Sequence, residues 1–401
     1  LTELFERRCI ISGIGQSDIG RRLGRSDMDL TLDACLAAIA DAGLKASDID
    51  GLISWPGDVM YTGGLTAGSP GFSGPSVPSV KDALRLHLNW HFAGPEGPAM
   101  LGSVVNACMA VATGLCRHVL VYRTLTESSA QAGGGRKGIP VYDPEGATGY
   151  LAWNLPYGGF SGGNWMAPYA TRHFHEFGTT REQLGWIAIN ARRNAGLNPK
   201  AIYRTPLTMD EYLSSRMITS PLCIYDCDVP VDGSTAVIVS TAEHAHDLPH
   251  PAVRFEAVGT ALDGRASWDQ WESVSRLASY DSGRHLWSRT DLKPADVDVA
   301  QLYDGFTILT LLWLESLGFC AEGEGGPFVE GGRRIALDGE LPLATGGGQL
   351  SAGRLHSFGH LHEAVLQLRQ EAGERQVAGA EVAIVSSGAP PLSSCLLLTR
   401  L

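Results

Sequence analysis

The sequence predicts an α/β protein made of two related halves, with a long insertion in the first. Three observations carry this. Short apolar strands alternate with amphipathic helices, one connector pattern occurs twice at roughly 250 positions' separation, and a glycine- and aromatic-rich stretch lies between the two copies.

The elements follow in order. Residues 9–14 read as a short buried strand ending in glycine. Asp29 is placed to cap a helix whose apolar residues Leu32, Cys35, Leu36 and Ile39 fall at helical spacing. Gly43 ends that helix as a left-handed residue would, and residues 51–55 form the next buried strand. The connector Asp48-Ile49-Asp50 recurs as Asp296-Val297-Asp298. A second pairing runs alongside it. The helix carrying Leu101, Val104, Val105, Cys108, Val111 and Ala112 stops at Gly114 before a strand at 119–122, and the helix carrying Leu361, Val365 and Leu368 leads to a strand at 382–385. The insertion, about residues 124–221, is of the kind that covers a site, and the chain re-enters the core through a strand at 236–240. The halves are expected at 1–248 and 249–401.

Composition removes several function classes. With 401 residues, 44% hydrophobic and 18% charged, the chain has ample material for a core. A net charge of −12, with no basic block, argues against nucleic acid or anionic membrane as a partner. The opening LTELFERRCIISGIG carries charges where a signal peptide has its apolar stretch. The run at 306–314 is far shorter than the ~20 residues of a membrane span. A cytoplasmic protein is expected. Eight cysteines show no dense framework, and Cys223 and Cys227 read as buried thiols rather than half of a zinc site.

Individual motifs leave alternatives open. The glycines at 133–135 and 346–348 lack the lysine and serine of a phosphate loop, and a nucleotide enzyme is disfavoured. The second cluster is either a tight turn or a set of backbone N–H groups facing a bound carbonyl oxygen. The histidine pairs His173/His175, His244/His246 and His360/His362 are unspecific. The richest cluster, His356, His360, His362 and Glu363, reads as exposed or capping groups, with acid–base work or a metal-dependent hydrolase as alternatives; no metal is expected. There is no GxSxG elbow, and Cys108 lies on a buried helix stripe. In QLYDGFTILTLLWLESLGF a strand at 297–302 turns at Tyr303-Asp304-Gly305 into a helix bearing Leu309, Leu312 and Trp313. That places Tyr303 and Asp304 at a strand end beside a helix N-terminus, either for chemistry or as a packing ring and a cap.

The segments PLCIYDCDVPVDGSTAVIV, QLYDGFT, GELPLATGGGQLSAGR and HEAVLQLRQEAGERQV resemble the lipid-transfer-protein branch of the thiolase superfamily, akin to the sterol-carrier-protein thiolases. The resemblance runs over essentially the whole chain. It implies a thiolase-like five-layer αβαβα core from two pseudo-repeated halves, an acyl-CoA substrate and a homodimer. Against the family pattern, the nucleophilic cysteine falls at or near Gly97, the asparagine and histidine of NxxGGxxxxGH fall on Ala344 and Arg354, the late Cys-x-Gly on Ser386-Ser387-Gly388, and the asparagine of NEAF on Tyr303. Acyl-enzyme chemistry is therefore excluded.

What remains resembles the steroid side-chain aldolases of this superfamily. They cleave a β-hydroxyacyl-CoA into a ring ketone and propionyl-CoA by a retro-aldol step. The resemblance implies Tyr303 as proton relay, with Asp304 beside it, and backbone N–H groups at Gly347 and Gly348 as the enolate hole. Arg354 is expected to contact substrate. The second tyrosine of these aldolases falls on Phe358, which can shape a sterol pocket but moves no proton, so His356 is expected to act instead. No cofactor is implied, since CoA is part of the substrate. A small OB-fold and zinc-ribbon acyl-CoA-associated protein is implied as partner. The same lost cysteine also fits a non-catalytic acyl-CoA or lipid-binding scaffold.

Overall fold

The structure, a computed structural model, describes residues 4–57, 70–94, 97–132, 155–159, 161–263, 273, 276–389 and 391–401. The glycines at 133–135, with the rest of 133–154 and residue 160 of the insertion, lie outside the described residues.

The chain opens with β1 (Cys9–Gln16), α1 (Asp27–Asp41) and β2 (Gly51–Ser54). Ser26, not Asp29, caps α1: its hydroxyl accepts the Asp29 N–H at 3.0 Å. Asp29 instead adds negative charge to the positive first turn. The buried stripe runs through Leu30, Thr31, Ala34, Cys35, Ala38 and Ile39, while Leu36 is 52% exposed and Leu32 half-buried. Close backbone approach sets this phase. A Cβ on Gly13 or Gly15 of β1 would stand 2.3 or 2.2 Å from the carbonyls of Ala38 or Ala34, so the helix lays its alanines on the glycines of the strand.

The elements that build the main sheet and the site are β3 (Trp90–Ala93), α2 (Gly102–Ala112), β4 (His118–Thr126), α3 (Gly162–Phe177), α4 (Arg181–Gly196), β5 (Asp232–Thr241), β6 (Val253–Leu262), α5 (Ala278–Trp287), β7 (Val299–Gln301), α6 (Thr307–Ser316), α7 (Phe358–Arg369), β8 (Val382–Ala389) and β9 (Leu392–Arg400), with shorter helices such as Val77–Leu84 between them. The strand expected at 297–302 is thus shorter at both ends. Its first two positions are taken by the connector, where Asp298 turns its carboxylate back to the chain.

These nine strands form one sheet in the order β3-β2-β4-β5-β1-β6-β9-β8-β7, extended past β7 by a parallel bridge from Ala300 to Leu343, and a separate two-stranded ribbon pairs Met217–Thr219 with Leu222–Cys223. The order reads the same from both ends inward. β2 runs parallel to β3 and β4, and β5 antiparallel to β4 and β1. β8 is likewise parallel to β7, and β9 antiparallel to β8 and β6. The halves meet at β1 and β6, paired antiparallel through Ile10 with Arg254 and Ile11 with Val253. The recurring connectors do the same work in each half. Asp50 accepts the N–H groups of Arg117 and His118 at the start of β4, and Asp298 those of Glu381 and Val382 at the start of β8.

Side chains alternate across the sheet into two cores. Leu52, Leu120, Tyr122 and Ile238 pack with α1 on the outer face. Ile53, Val119, Val121 and Val237 join a larger core with α2, α6, α7 and strands of the second half. α7 touches β7 and β8 of its own half and β1 and β5 of the other, while α5 covers β6 and β9 from outside. Outer helices, strands, inner helices, strands and outer helices give the thiolase-like layering. α6 packs beside α5 under α3 and α4 of the insertion and is buried along its whole length, and among the described residues no helix is long and apolar enough to cross a membrane.

Candidate active site

The site forms where the second half's strand ends meet the re-entry of the insertion. Past β7 the backbone of Tyr303 donates to the Ser386 hydroxyl at 2.9 Å, so the serine at the late Cys-x-Gly position anchors the tyrosine. Residues 227–229 then act as a seam. Asp228 N–H donates to the Gly305 carbonyl at 3.2 Å, Val229 N–H to the Gln349 carbonyl at 3.1 Å, and Arg354 N–H to the Val229 carbonyl at 2.8 Å. The tyrosine turn, the glycine turn and Arg354 are thereby set side by side. From the insertion, α4 braces the glycine turn. Asn190 and Asn194 donate to the Leu343 carbonyl at 2.9 and 3.0 Å, and Arg192 to the Ser351 hydroxyl at 3.0 Å.

Tyr303 is 8% exposed. Burial, reinforced by the charge of Asp228, pushes its phenol well above the usual tyrosine range; Arg354 and Gln349 pull the other way and Asp304 adds to the rise. The group is a neutral phenol at physiological pH.

Asp304 does not cap α6, whose N-cap position is Phe306, with no side-chain cap. Its carboxylate instead holds the glycine turn, accepting the N–H groups of Gln349 at 2.9 Å and Leu350 at 3.3 Å. His360 Nε2 stands 3.0 Å from the same carboxylate, at ion-pair distance but off the angle for a hydrogen bond. The turn has room for this because Gly348 lacks a Cβ, which would sit 1.9 Å from Asp304 Oδ2. Of the two amides considered for an enolate hole, that of Gly347 is already spent on the Ala344 carbonyl at 2.8 Å.

Arg354 is buried between two acids, donating to Glu127 at 2.6 and 3.0 Å and to Asp228 at 3.1 Å. Burial opposes its charge, but Asp228 and Glu127 outweigh that and hold it above the ordinary arginine range. Arg123 is wholly buried over the rings of Trp55 and Phe72. Burial, opposed by Glu127 and reinforced by Arg354, pulls it down to about 9, still protonated at neutral pH.

His356 lies 3.0 Å from Arg123 through Nδ1, and a guanidinium has no acceptor. Nδ1 is therefore the acceptor and the ring proton sits on Nε2. His356, expected to act where the second tyrosine is lost, is thereby set up as a donor through Nε2. Phe358, expected at the sterol pocket, is the first residue of α7 and fully buried in the core. Of the histidine pairs, His175 and His246 are exposed, but others are not. His173 is buried between Thr179 and Glu315, and His360 is buried as well. Glu363 is taken up by Arg375, Thr345 and Gln367, and no group of three His, Cys, Asp or Glu side chains suited to a metal occurs among the described residues. A cavity of about 160 Å³, lined by Lys200, Gln349, His360 and His362 among others, lies against the glycine turn; Tyr303 is not among its lining residues. Cys223 is buried, but Cys227 is partly exposed.

Two residues beyond Gly97 stands Ala99. It sits in the strand-to-helix turn before α2 with φ +56°, an unusual conformation for alanine, and its Cβ lies where Gly388 leaves space. Sequence reading missed Glu127, Asp228 and Gln349. Arg123 had a visible signal, a lone charge inside the apolar strand HVLVYRTLT.

Comparison with known proteins agrees with this geometry. Residues 259–398 match the family Thiolase C-terminal domain-like. The chain is 34% identical to a steroid side-chain-cleaving aldolase of Thermomonospora curvata, over 96% of this chain and 97% of that one. It is 34% identical to the 17-hydroxy-3-oxo-4-pregnene-20-carboxyl-CoA lyase of Mycobacterium tuberculosis, over 98% and 100%. Its fold superposes on a solved Ltp2-ChsH2(DUF35) aldolase with TM-score 0.88 at 32% identity, covering 99% of each chain. A monomeric SCP2-thiolase like protein of Mycobacterium smegmatis shares the fold at TM-score 0.69 and 17% identity, over 98% of this chain and 77% of that one. With this identity sustained along nearly the whole of both chains, the protein belongs to the SCP2-thiolase-like family.

Proposed function

We infer that the protein is a carbon–carbon lyase that cleaves a steroid side-chain β-hydroxyacyl-CoA, a 17-hydroxy steroid thioester, into a 17-ketosteroid and propionyl-CoA. The observation that carries this is the buried Tyr303 phenol beside Arg354 and Asp228, in a thiolase-like site with Ala99 in the turn before α2. Such a site has a proton to move and no nucleophile to acylate. The two relatives named for this chemistry support the same reading.

The retro-aldol step balances within the substrate. The hydroxyl O–H breaks, its oxygen forms the ketone C=O, and the bond to the α-carbon breaks with its electron pair passing into the thioester enolate. A proton added at the α-carbon then gives propionyl-CoA. A phenol that resists ionisation suits a relay, its oxygen taking the hydroxyl proton as its own proton leaves for the α-carbon, so that Tyr303 ends as it began. The thioester accepts the electrons, and the reading needs no metal or cofactor. His356, with its proton on Nε2, is a candidate donor to the developing oxyanion.

The reading includes an acyl-CoA-associated partner with an OB-fold and zinc ribbon, supported by the likeness to the Ltp2-ChsH2(DUF35) aldolase, and a cytoplasmic location. It includes a homodimer through β3, an edge strand whose residues His91, Phe92 and Ala93 are exposed and whose Trp90 and Phe92 rings stack. Halves at 1–248 and 249–401 fit the order of the sheet. The test is mass spectrometry of products after mixing protein, partner and the 17-hydroxy steroid CoA thioester. Propionyl-CoA and the 17-ketone are expected; substrate bound but unchanged would favour a binding scaffold.

A further inference from the structure

Gln349 is committed at three points and open at a fourth. Its N–H donates to Asp304 Oδ1 at 2.9 Å, its carbonyl accepts from Val229 N–H at 3.1 Å, and its Oε1 accepts from His356 N–H at 3.0 Å. Its Nε2 has no hydrogen-bond partner, although the residue is only 1% exposed. Flipping the amide offers no relief, because it would set two donors face to face at His356. The oxygen is therefore fixed toward His356 and the NH₂ turned away from it.

A buried donor left unpaired is unfavourable and rare in native proteins, and it calls for an explanation. The surroundings supply one. Asp304, which holds the Gln349 backbone, directly follows Tyr303, and the seam at 227–229 binds both turns. The Gln349 side chain lies against the Tyr303 phenol and favours charge on its oxygen, as Arg354 does, whereas Asp228 and Asp304 oppose it. Arg123 also feels that oxygen's charge.

We propose that Gln349 is a positioning residue for the proton relay, its unpaired N–H closing on the Tyr303 oxygen and holding the phenol in line as it gives up its own proton and takes that of the substrate hydroxyl. The inference rests on the lyase reading. The relay stays balanced, since Gln349 neither gains nor loses a proton.

The test is the pH dependence of steady-state cleavage by the full chain with its partner, for wild type, Gln349→Glu and Gln349→Met. The first variant keeps the shape and the acceptor for His356 N–H but shows Tyr303 a carboxylate. The second keeps the length and removes the donor. At neutral pH both are expected to lose kcat by about tenfold or more with KM within about twofold of wild type. Gln349→Glu should regain rate as pH falls and the introduced carboxyl gains a proton to donate; Gln349→Met should not. Rates near wild type in both variants, or a loss in Gln349→Glu that is the same at every pH, would overturn the proposal. Wild type that releases no ketone would instead overturn the lyase reading, and the inference with it.

Discussion

Arg354 grips Glu127 through Nε at 3.0 Å and Nη2 at 2.6 Å, tying the loop before α7 to the end of β4 across 227 positions of sequence. Both side chains are almost wholly buried, so salt and water do little to weaken the pair. Asp228 takes the remaining arm, and the three groups share their charge beside the Tyr303 phenol.

Removing one partner of such a pair leaves a buried charge uncompensated, which costs about 3–5 kcal/mol. Glu127→Ala is expected to lower unfolding free energy by that order in urea titrations. A change below about 0.5 kcal/mol, the level typical of a surface substitution, would mean that the Glu127 contact adds nothing to what Asp228 already gives Arg354.

Tyr303→Phe deletes one oxygen and leaves the packing of a buried ring. Loss of the relay is expected to reduce kcat by about a hundredfold or more. Binding of the CoA thioester, followed by calorimetry, should change little. Unaltered turnover would remove Tyr303 from the mechanism.

Gly348→Ala and Gly97→Ala form a matched pair. At Gly348 the new Cβ would stand 1.9 Å from Asp304 Oδ2 on a backbone with φ +57°, whereas at Gly97 nothing lies within 4 Å. The first is expected to cost about 1–3 kcal/mol and to depress activity with it, because the turn must move. The second should lie within about 0.5 kcal/mol of wild type. Thermal unfolding of both variants checks this.

His118 is buried against Ser240 and the His244 ring, and burial first, then His244, pushes it down from 6.5 to about 4. The folded protein thus refuses a proton that the unfolded chain accepts. Stability is unaffected above 6.5, declines as pH falls from there, and levels off near 4. The full effect is about 3 kcal/mol at most. His118→Gln should flatten that part of the stability profile, measured as urea midpoints at neutral and acidic pH.

The paired aspartates at 48/50 and 296/298 were legible as a repeat because each pair binds backbone within a few residues or at a neighbouring strand, and local geometry leaves its mark on local sequence. Tyr303 was legible by where its strand ends. Ala99 was not, since nothing in alanine's identity announces a positive φ. The α1 cap shows the same limit: Ser26 and Asp29 are both good caps, and only the docking of alanines on Gly13 and Gly15 decides where the first turn starts. Glu127, Asp228 and Arg354 acquire meaning only together, and the fold alone brings them together.

The seam between β1 and β6 has a consequence for how such a chain could arise. Its strands run antiparallel across the point where the sheet order reverses, so each half presents the same kind of edge to the other. A half released from its partner would carry an unpaired edge able to meet a second copy of itself in the same geometry. Fusion of two such copies needs no new contact, only a connection. Afterwards each side of the junction is free to diverge, one keeping the turn at Ala99 and the other acquiring the phenol.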